Sequence, residues 1–226
     1  MIDVQNLSKK FGSIEVLKEI NITFETGKIY GIVGENGAGK TTLFRCISGL
    51  ERFVGKVVSD LAPLKDHLGL LFTEPFFFDK MTGREYIRLM CQARKKDAHN
   101  LDDRNIFDLP LDQYASTYST GMKKKLALLA ILMQENEYFI LDEPFNGVDI
   151  QSNIVITDII NSLRDLGKTV VISSHIFSTL RETCDEIHVL DQGQFIKSVS
   201  KSGFQALEDD MKDVHIGNKL ERLGLK

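Results

Sequence analysis

Apolar residues along this chain fall into two kinds of pattern. The first is short and unbroken: Lys28–Val33 after its leading lysine, "HLGLLF" from His67, "YFIL" at Tyr138–Leu141, "TVVI" at Thr169–Ile172, and Glu186–Leu190. Runs that do not alternate with polar residues fit strands buried on both faces of a mostly parallel sheet. Ahead of them, "MIDVQNLSKKF" and "INITF" read as N-terminal antiparallel strands, punctuated by Gly12 and Thr26-Gly27. The second pattern has the helical period. Thr82-Gly83-Arg84-Glu85 has capping-box spacing, and Tyr86, Leu89, Met90 and Ala93 follow at i, i+3, i+4 and i+7. A second helix is expected from Met122 to about Gln134. A third spans Asp149 to Leu166, with Ile150, Ile154, Ile159, Leu163 and Leu166 as its apolar stripe and Gly167 as its C-terminal cap.

These elements predict an α/β fold of one domain covering residues 1–226, with residues 76–135 as a helical subdomain inserted in the α/β core. Residues 202–226 form a more polar C-terminal extension to which the sequence assigns no role. A length of 226 residues suits one such domain. The formal charge of -4 argues against a dedicated nucleic-acid binder, so nucleic acid is not an expected partner. The basic runs Arg94–Lys96 and Lys123–Lys125 read as solvated helix faces. The opening "MIDVQNLSKKFG" lacks the apolar core of a secretory signal. The longest apolar run, Leu126–Met133, falls short of the roughly 20 residues that cross a bilayer. The expectation is a soluble chain able to dock on a membrane protein. Cys46, Cys91 and Cys184 lie far apart, form no metal or redox pair, and fit a reducing cytoplasm.

Chemistry enters with Gly34-Glu35-Asn36-Gly37-Ala38-Gly39-Lys40-Thr41, which matches G-x-x-x-x-G-K-[ST] between an apolar strand and a helix. Its glycines allow a tight turn whose N–H groups point at phosphate oxygens, and the helix that follows adds the positive end of its dipole. Lys40 is expected on the β- and γ-phosphates, the Thr41 hydroxyl on Mg2+ and Thr42 on the α-phosphate. The fold class is thus a P-loop NTPase core. "YFILDEP" ends an apolar strand in Asp142, suited to hold the metal, and Glu143, suited to activate a water as general base. His175 closes "VVISSH" at the same sheet edge, within expected reach of the γ-phosphate, and Phe11 offers an aromatic face for adenine.

From Tyr118 to Pro144 a small-residue loop opens a helix that runs into the strand ending at Asp142. With this stretch, residues 1–194 or so resemble the ATP-binding cassette (ABC) transporter ATPases, and the single-domain exporter ATPases most of all. Tyr118-Ser119-Thr120-Gly121-Met122 is similar to the family's "LSGGQ" signature, with Ser119 and Gly121 retained. The resemblance implies ATP and Mg2+ as cofactors and Asp142 as the Walker B aspartate. It implies a second copy or a paralogous subunit whose Ser119 and Gly121 complete the nucleotide site. It also implies an integral membrane permease as partner, a cytoplasmic location at the inner face of the membrane, and export over import. "NGVD" at Asn146–Asp149 resembles the family's D-loop, with Asn146 in place of a serine. Thr73 stands where the family usually has glutamine and is too short to coordinate the metal except through water, and Glu74, with its longer side chain, is the other candidate for that contact. Phe76-Phe77-Phe78 reads equally as insertion core or as permease contact. A cytosolic ABC ATPase serving assembly or regulation would carry the same motifs. A small-molecule kinase would need an acceptor pocket and an arginine-bearing lid that nothing in the sequence marks.

Overall fold

The computed structural model describes residues 1–210, so most of the expected C-terminal extension, residues 211–226, lies outside the described residues. The first two strands, β1 (Ile2–Phe11) and β2 (Ile14–Phe24), pair antiparallel around Gly12. After β3 (Ile29–Val33) and helix α1 (Lys40–Ile47), β4 (Val54–Ser59) adds to the other edge of β1 and completes a three-stranded sheet. β4 was not marked by the sequence pattern, because its residues are exposed or half-buried.

The second sheet takes up the apolar runs. β5 (Leu68–Leu71), β6 (Tyr138–Asp142), β7 (Thr169–Ser174) and β8 (Glu186–Asp191) join β3 in the order β5-β6-β7-β3-β8, all parallel. β9 (Gln194–Ser200) closes that edge antiparallel to β8. The lack of alternation has the expected cause. On β3, Ile29 and Val33 face one core while Tyr30 and Ile32 face another; on β6, Phe139 and Leu141 oppose Tyr138 and Ile140. The antiparallel sheet and α1 cover one face, and the remaining helices cover the other.

Between β5 and β6 lie α2 (Gly83–Gln92) and α3 (Thr120–Met133), which pack on each other. Thr82 and Glu85 form the capping box read from the sequence. The buried face of α2 is Ile87 and Cys91, however, with Tyr86 and Met90 beside them. Leu89 and Ala93 are exposed, so the expected stripe was rotated from the true one. Of the three phenylalanines that precede α2, Phe77 is buried against Tyr86, while Phe76 and Phe78 are exposed and meet edge to face.

Helix α4 (Ile150–Asp165) corrects the pattern more strongly. Its core line is Ser152, Ile156, Ile160 and Leu163, whereas Ile150, Ile154 and Leu166 are 80%, 59% and 72% exposed. Isoleucines occur on more than one side of this helix, so periodicity alone offers two stripes. The sheet accepts only the one aligned with the Asp149 cap, whose carboxylate takes the Ser152 N–H. Gly167, at φ 74°, ends the turn after α4 as expected. Last come α5 (Phe177–Thr183) and a helical stretch, residues 204–210, whose Phe204 and Leu207 are buried against the same core.

Substitutions on α4 separate the two stripes. Ile160→Ala should cost about 2–5 kcal/mol of unfolding free energy, as truncation of a buried isoleucine does. Ile154→Ala should stay within about 0.5 kcal/mol of the parent. Urea titrations followed by far-UV circular dichroism read both.

Candidate active site

The parallel strands β3, β6 and β7 run in register, with Asp142 opposite Ser173 and Val33 opposite Ser174. Their carboxyl ends therefore fall at one sheet edge, where loops of an α/β fold gather ligand sites. The loop after β3 enters α1 there. Gly34 lies so close to the Leu190 carbonyl that a Cβ would sit 2.3 Å from its oxygen, which excludes any other residue. Gly39, at φ 111°, occupies the N-cap of α1 in a left-handed conformation. No side chain caps α1, whereas Thr82, Ser119 and Asp149 cap α2, α3 and α4. A helix start without a side-chain acceptor presents its first N–H groups to an anion.

An open cleft of about 670 Å³ lies over this loop. Of the residues read from the sequence, Phe11, Asn36, Gly37, Gly39, Lys40, Thr41, Thr42, Asp142, Glu143 and His175 line it. Gly34 and Glu35 line a neighbouring cavity beside it, together with Asn36 and His175, and Ala38 is buried beneath the loop. Ser119 and Gly121 are not part of the cleft. Ser119 caps α3 by accepting the Met122 N–H at 3.2 Å, and Gly121 packs on the Gly147 carbonyl. Phe11, nearly half exposed at the end of β1, flanks the cleft with Lys9 Nζ 4.5 Å from its ring centre.

Asp142 is 1% exposed and surrounded by hydroxyls. Oδ2 accepts from Thr41 Oγ1 at 2.6 Å and Thr73 Oγ1 at 2.7 Å, and Oδ1 accepts from Ser173 Oγ at 2.5 Å. Lys40 Nζ donates to the carbonyls of Gly34 and Glu35 at 2.7 and 3.1 Å, and stands 3.8 Å from Glu143 Oε1. Glu143 has a left-handed backbone, φ 52°, and is buried. Its Oε2 shares a 2.9 Å hydrogen bond with His175 Nδ1, while Oε1 is buried with no hydrogen-bond partner. A buried carboxylate oxygen without a donor is costly in a protein interior and marks a place prepared for a ligand or a water.

Three features escaped the sequence reading. Ser173 joins Asp142 to the peptide that follows it, because its Oγ also accepts the Glu143 N–H at 2.9 Å. Thr73 bonds Asp142 directly, a contact that its place in the sequence does not show; Glu74 lines an adjoining cavity with Arg45 and Phe76. The third corrects the view of Lys123–Lys125 as a solvated face. Lys124 is 1% exposed and donates to the Glu143 and Asn146 carbonyls, and Lys125 bonds Ser152 Oγ at 3.1 Å. Arg94 likewise turns inward to the Leu68 carbonyl at 2.7 Å. A lysine within a basic run carries no sequence signal that separates it from its exposed neighbours.

Residues 17–146 match the model of the family described as ABC transporter, which takes in the glycine-rich loop, the Ser119 loop and the Asp142-Glu143 pair. The chain belongs to the ABC transporter family. It is an ATP-binding subunit of that family and an ATPase. It is 30% identical to the bacitracin transport ATP-binding protein BcrA of Enterococcus faecalis, over 97% of this chain and 77% of that protein. It is 27% identical to the lantibiotic transport ATP-binding protein SrtF of Streptococcus pyogenes, over 92% of this chain and 95% of that protein. Among solved structures, a dimeric ATP-binding cassette described in a post-hydrolysis state with ADP and Pi superposes with a TM-score of 0.80. That match is 21% identical and covers 89% of this chain and 99% of the other, so the two share the ABC cassette fold. No helix among the described residues is long and apolar enough to cross a membrane.

For this ABC ATPase, Thr73→Val keeps the shape of Thr73 and removes one donor from a buried carboxylate. It should cost about 1.5–3 kcal/mol of stability, the range for a hydrogen bond to a charged group. Asp142 keeps two other hydroxyl donors, so basal ATP hydrolysis should stay within a few-fold. Guanidinium unfolding and a steady-state ATPase assay check the two halves, and a 100-fold loss of turnover would contradict the second.

Proposed function

We propose that this chain is the ATP-hydrolysing subunit of an exporter. It closes head to tail on a second copy or a paralogue around two ATP molecules and drives a membrane permease from the cytoplasmic face. The observation that carries the reading is the separation of the two anion-binding elements. Lys40 and Thr41 line the cleft, while Ser119 and Gly121 lie outside it at an exposed helix start. A second chain offering its own Ser119 loop would complete each site. The relatives support transport, since one is named for bacitracin and another for lantibiotics. The exposed pair Phe76 and Phe78 supports a membrane partner, because adjoining apolar rings on a surface mark contact sites.

Within one site, the loop N–H groups and Lys40 would hold the β- and γ-phosphates, Thr42 the α-phosphate and Phe11 the adenine. The adjoining oxygens of Thr41 and Asp142 form a hard donor set that suits magnesium. Mg2+ bound there would neutralise charge on the β- and γ-phosphates. Glu143 is the base: the unpartnered Oε1 accepts a proton from water as the water oxygen attacks the γ-phosphorus and the bond to ADP breaks. His175 holds the other oxygen and so fixes the direction of the carboxylate.

Glu143→Gln should bind ATP normally and lose about 10²–10⁴ in turnover, accumulating as an ATP-bound dimer on size exclusion. Turnover near the parent rate would remove Glu143 from the base role. Lys40→Ala and Ser119→Arg should each inactivate a homodimer through opposite halves of one composite site. Mixing the two inactive proteins should restore some activity, since mixed dimers contain one intact site. Mixed dimers shown to form yet lacking activity would count against sharing.

A further inference from the structure

Helix α3 starts at the exposed Ser119 loop and passes beneath the segment that follows β6. Its contacts there come in succession. Gly121 is tight against Gly147, where a Cβ would lie 2.8 Å from the carbonyl oxygen. Lys124 Nζ donates at 2.7 Å to the carbonyl of Glu143 and at 2.7 Å to that of Asn146. Lys125 reaches Ser152 and Asp149.

Lys124 is the unusual member. Its hydrogen-bond partners among the described residues are main-chain carbonyls, so it is an ammonium group buried without a bonded carboxylate. Such burial is expensive, and an apolar side chain would fill the same space without that cost. The segment it holds is also unfavourable by itself. Glu143 adopts φ 52°, and a left-handed backbone at a residue other than glycine persists only where its surroundings impose it. Three groups grip that residue by its main chain: Ser173 Oγ takes the N–H, and the C=O accepts from Lys124 at 2.7 Å and from the Asn146 N–H at 3.2 Å. The side chain is then left with one oxygen on His175 and one facing the site without a donor.

We infer that Lys124 is a positioning residue for hydrolysis, whose ammonium clamps the Glu143–Asn146 turn and so aims the Glu143 carboxylate into the cleft. This rests on the reading of Glu143 as the base. Because Lys124 rides on the helix that opens with Ser119, one rigid element carries both the loop offered to a partner's nucleotide and the clamp on the chain's own base. Burial lowers the Lys124 pKa, opposed by the charges of Glu143, Asp142 and Glu74.

The test compares the full chain with Glu143→Gln, Lys124→Met and Lys124→Gln, reading kcat, KM, ATP affinity and melting temperature. Lys124→Met should lower kcat at least about 30-fold, approaching the roughly 10²–10⁴ that a well-placed base supplies, with KM and ATP affinity within about threefold, the signature of a loss confined to the transition state. Lys124→Gln, with a neutral donor on a shorter stem, should fall between Met and the parent. A Lys124→Met protein with parental kcat, or one that loses ATP affinity in the same proportion as kcat, would overturn the inference. Should Lys124→Met not fold, Lys124→Gln decides: reduced kcat at unchanged affinity supports the clamp, and parental kcat overturns it. The two failures are distinct. Parental turnover by Glu143→Gln defeats the reading of Glu143, while an inactive Glu143→Gln beside a fully active Lys124→Met defeats Lys124 alone.

Discussion

The carboxylate of Asp142 is the point on which this site depends. Placed at the end of a central strand and almost wholly buried, it would be prohibitively costly without hydrogen bonds. Three hydroxyls supply them, and each comes from a different part of the fold: Thr41 from α1, Thr73 from the segment after β5, and Ser173 from β7. Charge-assisted bonds of this kind are short and strong. They fix the glycine-rich loop, the central strand and its neighbour to one another at the edge where the cleft opens. The Asp142–Ser173 register is what permits it, since a slip of one residue would turn Ser173 to the opposite face of the sheet.

The fold places its discomfort one residue further on. Glu143 combines a left-handed backbone, a buried carboxylate oxygen without a donor, and a lysine 3.8 Å away that is itself occupied by loop carbonyls. The backbone conformation and the unpaired oxygen each cost free energy, which the nearby Lys40 charge offsets only in part. The cost is offset by two large cores on either face of the sheet, which hold the strand ends rigid while the loops beyond them stay exposed.

The surface apolar residues separate in a similar way. Phe77 is committed to the core of the helical region, while its neighbours Phe76 and Phe78 pair with each other in the open. The core reading of that triplet therefore holds for Phe77 alone, and Phe76 and Phe78 are surface residues. On α4 the competing stripes of isoleucine were not distinguishable by spacing, and the choice of Ile156 and Ile160 over Ile150 and Ile154 was made by the sheet beneath. The inward turn of Lys124 has the same origin: the helix phase that buries Leu128 and Ile131 leaves Lys124 facing the turn after β6.

What the sequence determined by itself is the chemistry that depends on local order. A glycine-rich turn between strand and helix, a carboxylate pair after an apolar strand, and a cap such as Thr82 with Glu85 are each set by neighbours within a few residues. All of them can be read from spacing, and the ABC family follows from their combination. Only the tertiary structure decided which side chains meet across the chain: Thr73 and Ser173 on Asp142, His175 on Glu143, Lys124 on the Glu143 carbonyl. Those contacts join residues 19 to 69 positions apart. A hydroxyl or an ammonium has the same local propensity whether it faces water or a buried carboxylate, so nothing short of packing the strands in register could show where it points.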